Sequence, residues 1–341
     1  MLHTGVHEGE RRIREKEGEA MVERESASVT RRGFLKATGM AMAAMAAPVR
    51  LFGDEEVSVS GLVQKARETA ASDKVTVQEL RGGVRVLLGA GGNIAVLPGR
   101  DGKLLVDAGF AGARPQISEA LAGISSDPVR HLINSHWHFD HTDGNDWVHA
   151  AGATILAHKN TRKHLSTATL VKGWDFTFAA APAGAIPSQV FSSEHHLELN
   201  GTKIELQYYP PAHTDSDISI LFANADILHV ADTFWNGYYP FIDYSTGGSI
   251  DGTIAATKAN LARVTDQMIV IPGHGDVANK AQLAFYYDLL TSTREKVAAM
   301  KKQGKPLAEV VAAKPTAAYD EKWGGGFMSP RMFTGLVYQG V

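Results

Sequence analysis

The chain has 341 residues, 44% hydrophobic and 21% charged, with 34 glycines and 13 prolines. That is an ordinary globular composition, long enough to bury a sizeable core without covalent staples. It contains no cysteine, which excludes thiol catalysis, disulfide frameworks and thiolate metal sites. A net charge of −3, from 34 basic and 37 acidic residues, is too balanced for a protein that neutralises phosphates, so no nucleic-acid partner is expected. No apolar run reaches the ~20 residues that span a bilayer. Against this background 14 histidines, several of them clustered, stand out.

Residues 1–50 read as an export segment rather than part of the fold. Residues 1–29 mix acids and bases with too little apolar character to pack. Thr30-Arg31-Arg32-Gly33-Phe34-Leu35-Lys36 then precedes an uncharged small-residue stretch, Ala37 to Val49. This segment resembles a twin-arginine signal, with Ala44-Met45-Ala46 as a cleavage site and Met21 as an alternative start. The resemblance implies passage through the twin-arginine machinery to a periplasmic or secreted location. Removal of residues 1–46 leaves 26 basic and 30 acidic residues, a net charge of −4.

Residues 51–74 read as a linker or leading helix. From residue 75, β-type runs alternate with turn signals: Val75–Leu80, Val84–Leu88, Asn93–Leu97, and Lys103–Asp107 after an Asp101-Gly102 hairpin turn. A helix over Arg114–Ile124 and a strand over Arg130–Asn134 follow. Residues 166–192 read as a long loop, a lid or substrate wall. The second half repeats the style, with strands Ile204–Tyr208, Ile218–Phe222 and Ile227–Ala231, and a helix over Ser249–Val264 with Ser249 as N-cap and Ile250, Ile254 and Leu261 on its apolar face. A strand at Met268–Ile271 precedes a helix over Lys280–Lys302 that sets Leu283, Tyr286, Leu290 and Val297 on one side. Two such halves predict two sheets packed face to face with helices outside. Residues 75–280 are expected to form one domain, with 281–341 a helical extension packing on it.

The sharpest signal is Ser135-His136-Trp137-His138-Phe139-Asp140-His141, directly after a buried strand. His136 and His138 face one side of an extended segment, and Asp140 and His141 reach a second point nearby. Three imidazoles and a carboxylate so close together need a cation, and zinc accepts such nitrogen and oxygen ligands. His213, Asp232 and His274 each end an apolar run, where loops deliver side chains to a common point.

With those residues in hand, the chain resembles the metallo-β-lactamase superfamily of metal-dependent hydrolases. His-x-His-x-Asp-His and then the isolated His, Asp and His occur in the family's order over about residues 75–280. The resemblance implies an α+β fold, a four-layer αββα sandwich, with two divalent ions, zinc foremost. His136, His138 and His213 would hold one ion, and Asp140, His141 and His274 the other. Asp232 would bridge them. A water shared by two such ions has its pKa brought to about 7, and Asp140 would orient it for attack on a carbonyl. Asp107, at a strand end, is expected to brace the metal loop rather than ligate.

Departures narrow the expected substrate. Cysteine-ligand β-lactamases carry Cys where Asp232 stands, with a Lys soon after to grip the substrate carboxylate. Here Thr233-Phe-Trp-Asn-Gly-Tyr-Tyr-Pro240 follows without a cation. An Asp bridge is similar to thioesterases and lactonases of the family. Asn236, Tyr238 and Tyr239 become candidates for the substrate pocket, while Trp137 and Phe139 are expected to pack beneath the loop. The expected function is an exported hydrolase of a small ester, lactone, thioester or amide. β-Lactam hydrolysis and a non-catalytic metal-sensing protein are the alternatives, and residues 303–341 are expected to shape the pocket or a homo-oligomer contact.

Overall fold

The computed structural model describes residues 49–52, 56–59 and 61–341. The twin-arginine segment, Arg31-Arg32 and the cleavage site included, lies outside the described residues. Strands β1 (Val49–Phe52) and β2 (Glu56–Val59) pair antiparallel, and helix α1 (Leu62–Ala70) follows. Gln116 Nε2 donates to the Ala71 carbonyl at 2.5 Å, and Arg67 forms a two-pronged pair with Asp143, so α1 is tied to the body at two points.

The first large sheet takes β3 (Thr76–Glu79), β4 (Arg85–Leu88), β5 (Ile94–Leu97) and β6 (Lys103–Val106) as an antiparallel meander. Helix α2 (Arg114–Ile124) then crosses over to β7 (Val129–Asn134), parallel to β6. Two short helices, α3 (Phe139–Thr142) and α4 (Asn145–Ala150), lead to β8 (Thr154–His158), and α5 (Lys159–Leu165) follows. Every residue of β5 and β6 is buried, because a sheet covered on both faces reads as a continuous apolar run rather than an alternating one.

Residues 166–192 are not the long loop that their composition predicts. They hold a small hairpin, β9 (Thr169–Val171) with β10 (Phe176–Phe178), and β11 (Gln189–Phe191), which joins the first sheet parallel to β8. The reason is packing: Val171, Trp174, Phe178 and Phe191 bury their side chains in the two cores, an anchorage that a composition of Ala, Ser and Thr conceals.

The second sheet runs β12 (Glu194–Leu199), β13 (Thr202–Tyr208), β14 (Ile218–Phe222), β15 (Ile227–Asn236), then helix α6 (Ile250–Arg263), β16 (Ile269–Gly275) and β17 (Ala278–Asn279). All its pairs are antiparallel except β15 with β16, which α6 separates in sequence. The sheets face each other through Val86, Leu88, Leu104, Val106, Ile204, Ile218, Ile220 and Phe222, a layer made of alternate residues. The opposite faces pack on helices around Leu87, Leu105, Leu132, Leu228 and Val230. This is the expected αββα arrangement.

Ser249 caps α6, its Oγ accepting from Gly252 N at 2.9 Å. The buried face of α6 is Ile250, Thr253, Ala256, Thr257 and Asn260, with Ile254 and Leu261 half-buried. The expected apolar stripe therefore lies partly to one side, since Thr257 and Asn260 hydrogen-bond Thr233 under the site. Helix α7 (Lys280–Lys302) starts with a capping box between Asn279 and Gln282 and buries Leu283, Tyr286, Leu290 and Val297. Helices α8 (Leu307–Ala312), α9 (Asp320–Trp323) and α10 (Pro330–Gly340) complete the chain, with α10 packed on α7 and α6. Among the described residues, no helix is long and apolar enough to cross a membrane.

Candidate metal centre

Strand β7 ends at Asn134, and the chain enters the loop Ser135–His138 before turning into α3. The loop is held from beneath by Asp107, which follows β6. Its carboxylate accepts from Ser135 N at 2.7 Å, Ser135 Oγ at 2.6 Å and His141 Nδ1 at 2.8 Å. The predicted bracing role matches these contacts. Asp107 sits at φ 69°, a left-handed conformation that Asp tolerates better than bulkier residues.

All seven expected side chains meet at one point. The ring nitrogens of His136, His138 and His213 form one group whose donor atoms lie within 4.8 Å of one another; Asp140, His141 and His274 form another, and His136, His141 and Asp232 link them. Asp232 is central, with Oδ1 3.2 Å from His141 Nε2, and Oδ2 3.3 Å from His213 Nε2 and 3.4 Å from His274 Nε2. Asp140 Oδ2 lies 3.2 Å from His274 Nε2.

Three imidazoles are anchored from behind, which fixes the nitrogen they present. His213 Nδ1 donates to the Phe241 carbonyl at 2.8 Å, His138 Nε2 to Asp243 Oδ2 at 3.1 Å and His141 Nδ1 to Asp107. The forward atoms then face one another: His213 Nε2 and His138 Nδ1 are 2.8 Å apart. His136 Nε2, His141 Nε2, His274 Nε2 and Asp232 Oδ1 are buried without any hydrogen-bond partner. Buried polar atoms are nearly always paired, so these orphaned donors fit a cation that the side chains were built to surround.

Two glycines let the backbone approach the cluster closely. A Cβ on Gly92 would lie 2.0 Å from His141 Cε1, and one on Gly273 would lie 1.9 Å from Asp232 Oδ1. Asp232 itself follows an irregularity in the β15–β16 pairing at Ala231, whose φ is 45°. Such a bulge re-aims the next side chain out of the strand's alternation.

The charges are mutually dependent. Burial pushes His136 well below the ordinary histidine range, with neighbouring His141 adding to the effect. Burial also disfavours charge on His141 and His274, but Asp232 and Asp140 outweigh it, lifting His141 well above its usual value and His274 to about 9. Burial alone would raise Asp232 and Asp140; the surrounding imidazoles instead hold Asp232 well below the usual carboxylate range and lower Asp140.

The centre opens into a cavity of about 130 Å³. Asp140 is its most accessible ligand candidate, its side chain 15% exposed. Leu62 and Ala66 of α1, Phe110, Phe139, Trp174, Trp235, Tyr238 and Phe327 supply apolar walls. Phe139, expected only beneath the loop, also lines this wall; Trp137 is buried as expected and donates to Thr246 Oγ1 at 3.2 Å.

Of the three substrate candidates, only Tyr238 lines the cavity. Tyr239 is fully buried, stacks on Phe333 and donates to Asp320 Oδ1 at 2.8 Å, so its expected place in the pocket is corrected to the core. Asn236 lies outside the lining and donates to the Asp276 carbonyl at 2.8 Å, tying β15 to the turn after β16. Sequence reasoning missed Asp243, although a carboxylate after the apolar Pro240-Phe-Ile242 invites a buried role. It also missed Trp174 and the α1 wall, for which no local signal exists.

Two face-to-face sheets with helices outside and a buried His/Asp cluster at a loop edge define the class of metal-dependent hydrolases built on an αββα scaffold. Comparison with known proteins agrees. The metallo-beta-lactamase superfamily profile matches residues 87–276, more than half of the chain. The chain belongs to the metallo-beta-lactamase superfamily.

A curated relative, the 2,4-dinitroanisole O-demethylase subunit alpha of Nocardioides sp. (strain JS1661), is 27% identical over 168 residues, 48% of this chain and 47% of the relative. The match therefore spans about half the relative's length. Among solved structures, a metallo-beta-lactamase from Pontibacter korlensis aligns with TM-score 0.52 and 15% identity over 64% of this chain and 99% of its own. A double mutant of the sec-alkyl sulfatase PisA1 aligns with TM-score 0.61 and 16% identity over 92% of this chain and 59% of its own. At these identities the structural likeness bears on fold alone.

Proposed function

We propose that the protein is a dinuclear metal-dependent hydrolase of small, uncharged or non-anionic esters, lactones, thioesters or amides. The reading rests on the orphaned donors of the cluster: His136, His138 and His213 would hold one divalent ion, Asp140, His141 and His274 a second, and Asp232 both. Zinc suits this donor set. Such ions, when bound, supply Lewis acidity and bring a water's pKa to about 7.

The chain's own residues do the rest. Asp107, Asp243 and the Phe241 carbonyl orient the imidazoles. Asp140, kept ionised by His141 and His274 and facing the cavity, accepts a proton from the attacking water at its carboxylate. Trp174, Trp235 and Phe327 exclude bulk water from the reacting bond.

Among the described residues, the cavity lining contains no Lys or Arg. A carboxylate-bearing β-lactam or a sulfate ester would find no lysine or arginine there among the described residues to grip its anion, which ranks both below neutral substrates. The O-demethylase relative adds an aryl methyl ether to the candidates, and its status as a subunit adds a second chain to the candidate partners. On the Arg31-Arg32-Gly33-Phe34-Leu35-Lys36 pattern, we propose export by the twin-arginine route.

The test is metal quantification of the purified protein together with turnover of phenyl acetate, a γ-lactone, an acyl thioester, an aryl methyl ether and a chromogenic cephalosporin. Two equivalents of metal and chelator-sensitive turnover of a neutral compound are expected. Fast turnover of the cephalosporin alone, or full activity in His138→Ala or Asp140→Ala, would overturn the reading.

A further inference from the structure

We propose that Asn93 is the positioning residue for His274, clamping the backbone on either side of it so that the ring meets Asp140 and His141. The inference rests on the dinuclear reading above and assigns a residue to the second of its two candidate ions.

His274 differs from the other imidazoles of the centre. His138, His141 and His213 are held from behind by Asp243, Asp107 and the Phe241 carbonyl, and His136 Nδ1 lies 3.1 Å from Ser135 Oγ. Among the described residues, His274 makes its polar contacts through Nε2 alone, so no partner at the other nitrogen fixes its direction. The backbone gives little direction of its own. His274 stands between Gly273 and Gly275, the latter at φ 86°, and glycine leaves the chain free to adopt several conformations. Neither glycine is replaceable, since a Cβ would collide with Asp232 Oδ1 or with the Asn236 carbonyl.

Asn93 supplies the missing constraint from the other sheet. It precedes β5 and is 3% exposed. Its Nδ2 donates to the Pro272 carbonyl at 2.9 Å and the Gly275 carbonyl at 2.8 Å, and its main-chain N–H donates to the Gly273 carbonyl at 2.8 Å. One side chain and its own amide thus hold the carbonyls that bracket His274. Gly92 donates its N–H to the Asp140 carbonyl at 3.0 Å. Two consecutive amides therefore join the segment bearing Asp140 to the segment bearing His274, whose side chains lie 3.2 Å apart. Asn93 is itself pinned, because buried His229 donates from Nε2 to its carbonyl at 3.3 Å while Nδ1 accepts from Ala231 N at 3.2 Å. Asp140 and His141 follow β7 of the first sheet, and His274 lies at the end of β16 in the second. The clamp sets the separation of the two sheets where one ion would need ligands from both.

Cobalt(II) titrations of the chelated protein, followed by visible absorbance and competition with a chromogenic chelator, measure the ions in the parent, Asn93→Ala and Asn93→Ser. The same substitutions are measured beside His274→Ala and beside His213→Ala, and melting of the metal-free proteins reports the structural cost separately. Asn93→Ala should weaken one ion roughly 10–100-fold and spare the other, with Asn93→Ser, which keeps one donor, in between. A contact that acts through one ligand is coupled to it, so the loss should persist beside His213→Ala and disappear beside His274→Ala.

Equal weakening of both ions, no weakening, or an undiminished loss beside His274→Ala overturns the inference. A parent that binds a single ion contradicts the dinuclear reading, and the His274→Ala comparison still decides: a loss that disappears there upholds the clamp, and one that remains refutes it. A parent that binds no cobalt refutes both.

Discussion

Asp107 offers a stringent test of how the centre is organised, because it touches no cavity and yet ties together the elements that make one. Its buried carboxylate receives Ser135 N, Ser135 Oγ and His141 Nδ1. In Asp107→Ala the Ser135 hydroxyl turns to His136 Nδ1, 3.1 Å away, but the Ser135 amide and the His141 ring lose their acceptor. Each buried orphan costs about 1–3 kcal/mol, so the variant loses roughly 2–6 kcal/mol. At ~2 °C per kcal/mol for a chain of this size, the melting temperature falls by about 4–12 °C. His141 also loses the bond that fixes which nitrogen faces the cluster, and such supporting contacts are worth roughly 10–100-fold in metal affinity. Competition titration against a chromogenic chelator, with circular dichroism melting, measures both. Asp107→Asn retains the shape and an acceptor for the Ser135 amide, so it should keep most stability while still losing affinity. An Asp107→Ala protein that binds metal as tightly as the parent would refute the account.

Further outcomes follow from the same geometry. Gly273→Ala places a methyl against Asp232 Oδ1 and should abolish metal retention in dialysed protein while leaving the far-UV spectrum native; normal metal content would show that Asp232 does not sit where it is described. The raised pKa of His274, about 9 against 6.5, means that the metal-free folded state binds a proton more tightly than the unfolded chain. That stabilisation, on the order of 3 kcal/mol, is fully present below about pH 6.5 and lost as pH rises through about 9. Thermal melts of the chelated protein should therefore shift down across that window, and a flat profile would contradict the charge arrangement. Phe327→Ala removes an apolar wall worth roughly 1–2 kcal/mol, raising KM for aromatic esters about 5–30-fold with kcat little changed; a fall in kcat alone would place Phe327 in the chemistry rather than the wall.

The cluster was legible in the chain because its chemistry is local. His136, His138, Asp140 and His141 lie within one turn of backbone, and no soluble loop gathers such groups without a cation. His213, Asp232 and His274 were legible only as ends of apolar runs, and the strand pairing of β13 to β16 is what brings them to the first four. Tyr239 shows where pattern reasoning fails. Its neighbour Tyr238 faces the cavity, and a single residue of backbone decides between substrate wall and core.

Alternation of apolar residues and the positions of turns determined many of the elements, since burial of one face imposes a period: the helices at Arg114–Ile124 and Lys280–Lys302 stand where the periodicity puts them, whereas the short strands of 166–192 left no such pattern. The donor set was likewise written in residue types. Tertiary structure alone decided the shape and charge of the space above it. Helix α1, the hairpin bearing Trp174 and the Gly325–Phe327 segment come from distant parts of the chain, and each meets the centre only through packing between elements. Such contacts depend on how whole surfaces fit together, and a linear string of residues carries no local record of that fit.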